Sequence, residues 1–73
     1  MTAPDLAAEV VAALPPLATT EETAACLRVS LRTLRRRIAD GHFRTIRDQD
    51  AGGSRVLIPR TEVERYIRQR VAS

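Results

Sequence analysis

Arg32, Arg35, Arg36 and Arg37 crowd a six-residue stretch, and the chemistry they offer is the capture of anions. A guanidinium is permanently charged and presents a planar fork of donors that fits phosphate, or the O6 and N7 edge of guanine, with two parallel bonds. The stretch reads as a helix over residues 31–40, with Ser30 as its N-cap and Gly41 as its C-terminal stop. At about 100° per residue, Leu31, Leu34 and Ile38 fall within about 60° of one another and form a narrow apolar stripe. A neighbouring arc of about 100° carries Arg35, Ala39, Arg32 and Arg36, so three guanidiniums share one face, while Arg37 lies round the other side. Between Arg28 and Asp48 the one acid is Asp40, so ion pairs at i±3 and i±4 cannot account for the charge. Arginines this dense and unpaired repel one another and favour a polyanionic partner.

The major groove of B-DNA admits one α-helix, which makes double-stranded DNA the expected partner. Arg32, Arg35 and Arg36 are then the major-groove contacts. Ala39, short and apolar on the same arc, can touch a thymine methyl or permit close approach. Ser30 and Thr33 at the helix N-terminus can bond phosphate, aided by the dipole, besides their capping role. Arg37 is expected on phosphate or in solvent, and Arg60 on phosphate or on a neighbouring carbonyl. His42 reads as a surface residue of the turn.

The elements that must hold this helix in place are legible on either side of it. Thr19 followed three residues later by Glu22 is a capping box opening a helix to about Leu27, with Thr20, Thr23, Ala24 and Leu27 on its inner face and Cys26 a small inert core residue. Only Arg28 and Val29 separate it from Ser30, and two short helices joined so tightly are the mark of a helix-turn-helix. After Gly41 come β-prone runs at 42–47 and 55–58 around a polar, glycine-containing loop at 48–54, which reads as a hairpin or wing. Arg47 and Arg55 on its strands are expected to reach the DNA backbone or minor groove, while the tip, with Asp48 and Asp50, stays in solvent. Pro59 stops the second strand, and Thr61 with Glu64 offers a capping box for a last helix to about Arg70 that packs Val63, Tyr66 and Ile67 on the core. In front, Leu6, Val10, Val11 and Leu14 fit a short amphipathic helix ended by Pro15 and Pro16; it either rests on the domain or contacts a partner or second copy. The expected architecture is mainly α with a small β-hairpin, a winged helix-turn-helix over residues 17–73 preceded by an arm at 1–16.

Composition narrows the function further. With 73 residues there is room for one small core and little space to carve an enzyme pocket. No paired carboxylates, nucleophile with base, or metal-ligand cluster appears, Cys26 and His42 being too few, so neither catalysis, nor a cofactor, nor a small-molecule substrate is expected. No apolar run is long enough to span a bilayer and no basic residue opens a secretory signal, which suggests a cytoplasmic protein. Charge is segregated: residues 1–27 carry four acids and no base, whereas residues 28–73 carry all twelve arginines against five acids, a net of +7. The second half is the expected polyanion-facing surface.

The segments Leu17-Ala18-Thr19-Thr20-Glu21-Glu22-Thr23-Ala24, Val29-Ser30 with Thr33-Leu34 and Ile38, Gly41, and Ile58-Pro59-Arg60 leading into Val63-Glu64-Arg65-Tyr66-Ile67 resemble, in that order, the excisionase family. These are small winged-helix proteins related to the DNA-binding domain of MerR regulators. The resemblance covers about residues 17–68. It implies a recombination directionality factor of a phage or mobile element that binds repeats in an attachment site, bends the DNA, contacts its own copies and a tyrosine integrase, and favours excision. It also implies major-groove reading from positions that match Arg32, Arg35, Arg36 and Ala39, and minor-groove approach from the wing around Arg47 and Arg55. Arg28 stands where the family often has Gly, Arg37 replaces a commonly apolar residue, and the 48–54 loop is longer and more acidic than usual. A small MerR-like transcription regulator shares every one of these contacts, and an interaction module such as an antitoxin or anti-activator is the alternative of another class. One recognition helix reads few base pairs and no heptad seam is present, so copies are expected head to tail on DNA, the acidic segment with Asp5 and Glu9 meeting the basic half of the next copy.

Overall fold

A computed structural model describes residues 6–48 and 55–72. Asp5, Asp50 and the rest of the wing tip lie outside the described residues. In chain order the elements are α1 (Leu6–Val11), β1 (Leu17–Thr19), α2 (Thr20–Leu27), α3 (Leu31–Ala39), β2 (Ile46–Asp48), β3 (Arg55–Pro59) and α4 (Arg60–Ala72). The chain is mostly helical with a three-stranded antiparallel sheet of order β1-β3-β2, a winged helix-turn-helix.

Local chemistry sets the two central helices. Thr19 accepts the Glu22 amide at 3.0 Å on its hydroxyl, and the Glu22 carboxylate accepts the Thr19 amide at 2.8 Å, so the expected capping box is complete. Ser30 caps α3 in the same manner, its hydroxyl accepting the Thr33 amide at 3.1 Å. Both helices also end alike. At α3 the amides of Gly41 and His42 donate to the carbonyls of Ile38 and Arg37, with Gly41 left-handed at φ 89°. At α2 the amides of Arg28 and Val29 donate to Ala25 and Ala24, with Arg28 left-handed at φ 57°. This is the Schellman closure twice, once with the glycine it prefers and once with an arginine.

One core lies between the sheet and the helices. Leu34 of α3, Ile58 of β3 and Val63 of α4 are fully buried, and Val11, Leu14, Ala18, Ala24, Phe43 and Tyr66 join them. Leu31, Ile38 and Ile67 pack against it partly buried, as the apolar stripes required. The buried Thr23 hydroxyl donates to the Thr19 carbonyl at 2.9 Å, so it leaves no unmet bond in the interior.

Four expectations are corrected. Leu17–Thr19 is a strand rather than a lead-in, pairing Ala18 with Ile58 in β3; three residues ending in a cap carry no alternation to betray them, and the partner is about forty positions away. The second strand starts at Ile46 and not at His42, because Phe43 turns inward as a core side chain and the Arg44 amide donates to the Glu62 carboxylate at 2.9 Å instead of a ladder. Helix α4 begins at Arg60, whose amide donates to the Pro16 carbonyl at 2.8 Å, so Thr61 sits inside the first turn and does not cap. Finally, α1 buries Ala7 and Val11, one helical turn apart, and Leu14 just beyond it is buried too, while Leu6 and Val10 are exposed. That face packs on α4. No helix among the described residues is long and apolar enough to cross a membrane.

Candidate nucleic-acid interface

Helix α3 is anchored by Leu34 and turns Arg32, Arg35, Arg36 and Ala39 outward, all exposed. Among the described residues the ion pairs fall on α4, Arg65 Nη2 to Glu62 Oε1 at 2.9 Å and Arg68 Nη2 to Glu64 Oε1 at 3.4 Å, and neither involves α3. The charge of the α3 arc is therefore turned to solvent outside any ion pair of the described residues. Arg32 and Arg36 flank Thr33 around a shallow hollow of about 210 Å³. The Ser30 hydroxyl donates to the Thr33 hydroxyl at 2.9 Å while capping the helix, which leaves the N-terminal turn of α3 ordered beside those two guanidiniums.

Arg35 faces a different opening. A cleft of about 630 Å³ runs between the start of α2, the middle of α3 and the start of β3, with Glu21, Arg35, Ile38 and Arg55 in its walls. The tertiary fold thus brings an arginine of α3 and one of β3, twenty residues apart in sequence, to one depression. In the ladder Arg47 stands opposite Val56, and Arg55 is the next residue along, so the Cβ atoms of Arg47 and Arg55 leave opposite faces of the hairpin. Both side chains are exposed.

Two other arginines are engaged within the fold. Arg60 Nη1 donates to the Leu14 carbonyl at 3.0 Å, the carbonyl alternative of its two expected partners, and so ties the segment after α1 to α4. Arg37 is half-buried with its guanidinium carbon 5.8 Å from the centre of the Tyr66 ring, and Arg70 stands 5.0 Å from the same centre. Phe43 packs on Tyr66 as well, at 4.6 Å between ring centres, and the exposed His42 ring lies at 6.1 Å. The turn after α3 is thereby fastened to α4, which sets the angle at which α3 is presented.

Carboxylates near these groups are held ionised. At Glu62 the Arg65 guanidinium and then the Arg44 amide keep the carboxyl below its ordinary value. At Glu21 its own backbone amide, the Thr20 hydroxyl and the charge of Arg35 act in the same direction. Burial pushes the Cys26 thiol up, and its sulfur lies 3.5 Å from the Val10 carbonyl, which suits a packing residue.

A family model for the helix-turn-helix domain matches residues 19–71, from the cap of α2 to the penultimate residue of α4. The chain belongs to this family. Helix-turn-helix domains of this family include excisionase-like DNA-binding proteins, and DNA binding is the function the family supports. No curated protein and no solved structure matches the chain. In a helix-turn-helix the second helix is the one that enters the major groove, and here that helix is α3 with its unpaired arginines. Glu21 was visible in the sequence only as one of the acids near a helix start, and its place opposite Arg35 depends on how α2 and α3 cross.

Proposed function

We propose that this helix-turn-helix domain is an excisionase, a non-enzymatic protein that lies as several copies along repeats in an attachment site, bends the DNA and directs a tyrosine integrase towards excision. It acts in the cytoplasm of a bacterial or phage-infected cell. One observation carries the DNA-binding part: Arg32, Arg35 and Arg36 stand exposed on the second helix, outside the ion pairs of the described residues, and Arg35 shares its cleft with Arg55 of the wing. Arg35 and Arg36, with Arg32, read base edges; Ala39 lets the helix close on the groove; Ser30, Thr33 and Arg37 hold phosphates; Arg47 and Arg55 approach the minor groove. Membership of a family that includes excisionase-like proteins supports the recombination role.

A single domain of this size buries too little surface on DNA to find one site alone, which argues for neighbouring copies. Without a symmetric seam the contacts join unlike surfaces and continue as an open row, weak in solution and reinforced when DNA holds copies in register. Gel shifts on one, two and three repeats, with sedimentation of the free protein, test this. Tighter binding per site on tandem repeats, a monomer off DNA, and stimulation of excision by the cognate integrase are expected. Affinity falls steeply with salt, and each phosphate-contacting Arg changed to Ala lowers the log-log slope by about one. A tight DNA-independent dimer with equal per-site affinity on single and tandem repeats would instead indicate a MerR-like regulator, and absence of duplex binding at low salt an interaction module for an acidic protein.

A further inference from the structure

Glu21 is out of keeping with the face it occupies. It is an exposed acid in the wall of a cleft whose other charged lining residues are Arg35 and Arg55. Its carboxylate accepts the Thr20 hydroxyl at 3.2 Å, which orders it locally. The fold does not need an acid there, because Glu22 completes the capping box and supplies negative charge at the helix N-terminus. If this face binds duplex DNA, as proposed above, an acid within it weakens every approach of a phosphate, since like charges in proximity oppose association.

We propose that Glu21 is a specificity-determining residue of the interface: it disfavours phosphate in the cleft and restrains Arg35 so that this guanidinium engages base edges instead of any backbone. An Arg fork has five donors, so one edge can stay towards the carboxylate while another bonds the O6 and N7 of guanine. On unmatched DNA no base acceptor repays the repulsion and binding is weak; on a matched site the bidentate contact outweighs it. The device is a repulsive element that lowers affinity for wrong partners more than for the right one. The attraction between the two side chains also contributes to the low pKa of Glu21, behind its own backbone amide and the Thr20 hydroxyl.

The test uses the full chain and two duplexes, a random-sequence pool and the site enriched from that pool by the wild-type protein. Glu21→Gln is expected to tighten binding to random duplex about three- to five-fold, the size of an exposed charge interaction, while the enriched site changes less than about twofold, so discrimination falls. Glu21→Ala, which also keeps the capping box, is expected to do the same, with circular dichroism confirming the fold of both. In an Arg35→Ala background Glu21→Gln should leave the ratio unchanged, because the restraint acts through Arg35. Glu64→Gln, the same charge change on α4 outside the cleft, should shift both duplexes by one factor. An undiminished ratio in folded Glu21→Gln, or an equal loss of discrimination with Arg35 already removed, overturns the inference while leaving DNA binding intact. Failure of the wild-type protein to bind either duplex overturns the DNA-binding reading and this inference together.

Discussion

Helices α3 and α4 are both rich in arginine and differ in what those arginines face. On α4, Arg65 and Arg68 have Glu62 and Glu64 one turn earlier, and Arg65 also reaches the His42 carbonyl at 3.2 Å. On α3, Arg32, Arg35 and Arg36 have no acid on their own helix before the Asp40 cap. On α4, Glu62 and Arg65 hold the turn after α3 to the body, whereas the α3 arc of Arg32, Arg35 and Arg36 enters no ion pair among the described residues. A count of basic residues would not separate the two helices. The positions of their acids do.

Breaking the shared framework has the largest expected effect. Leu34→Ala removes the fully buried anchor of α3 and is expected to lower stability by about 2–5 kcal/mol, much of the margin of so small a domain, as measured by urea unfolding. DNA binding should fall with it. If Leu34→Ala left unfolding unchanged, α3 would not be held to the body as described.

The next largest effect separates the helices directly. Arg36→Ala on α3 is expected to weaken binding to a preferred site by roughly 1–3 kcal/mol and relax its sequence preference, whereas Arg68→Ala on α4 should change affinity less than about threefold. Equal losses in a gel-shift titration would erase the distinction between paired and unpaired arginines. Arg37 is intermediate, since it leaves α3 towards Tyr66. Arg37→Ala should weaken random and preferred DNA by one common factor and lower stability by about 0.5–1 kcal/mol through loss of the cation–π contact.

Arg28, between α2 and α3, tests what the turn itself requires. Its left-handed backbone is about 1 kcal/mol cheaper for glycine, so Arg28→Gly is expected to raise thermal stability by that order, provided its side chain adds nothing to the fold. Gly41→Ala at the matching position after α3 should do the reverse, although a Cβ there meets no atom within 4 Å. If both changes were neutral, the two closures would not depend on the left-handed residue.

The smallest effect concerns acid. Folding lowers the pKa of Glu62, chiefly through Arg65 and then the Arg44 amide, so its contribution is complete above the ordinary carboxylate value and is lost as pH falls through the lower folded value. Unfolding followed from neutral pH into that range should show a modest loss of stability that Glu62→Gln removes. DNA binding by α3 should be little altered by the substitution at neutral pH.

What the sequence alone determined is what short-range geometry controls. Caps act over three residues, so Thr19–Glu22 and Ser30–Thr33 fixed the starts of α2 and α3, and Gly41 its end. Helical periodicity likewise separated the Leu31, Leu34, Ile38 stripe from the arc of Arg32, Arg35 and Arg36, and the lack of nearby acids marked that arc as the candidate site. The tertiary structure decided everything that depends on partners distant in the chain. Strand β1 exists because β3 lies beside it, and α4 starts at Arg60 because Pro16 offers a carbonyl. Phe43 leaves the expected strand because Tyr66 and the core receive it, and α1 exposes Leu6 and Val10 because α4 meets its other face. In the same way periodicity set Arg37 apart from the α3 arc and left two partners open for Arg60, yet only the fold gives Arg37 the Tyr66 ring and Arg60 the Leu14 carbonyl. The meeting of Glu21, Arg35 and Arg55 in one cleft belongs to this second class, since no local rule relates residues whose proximity is set only by how two helices and a strand pack.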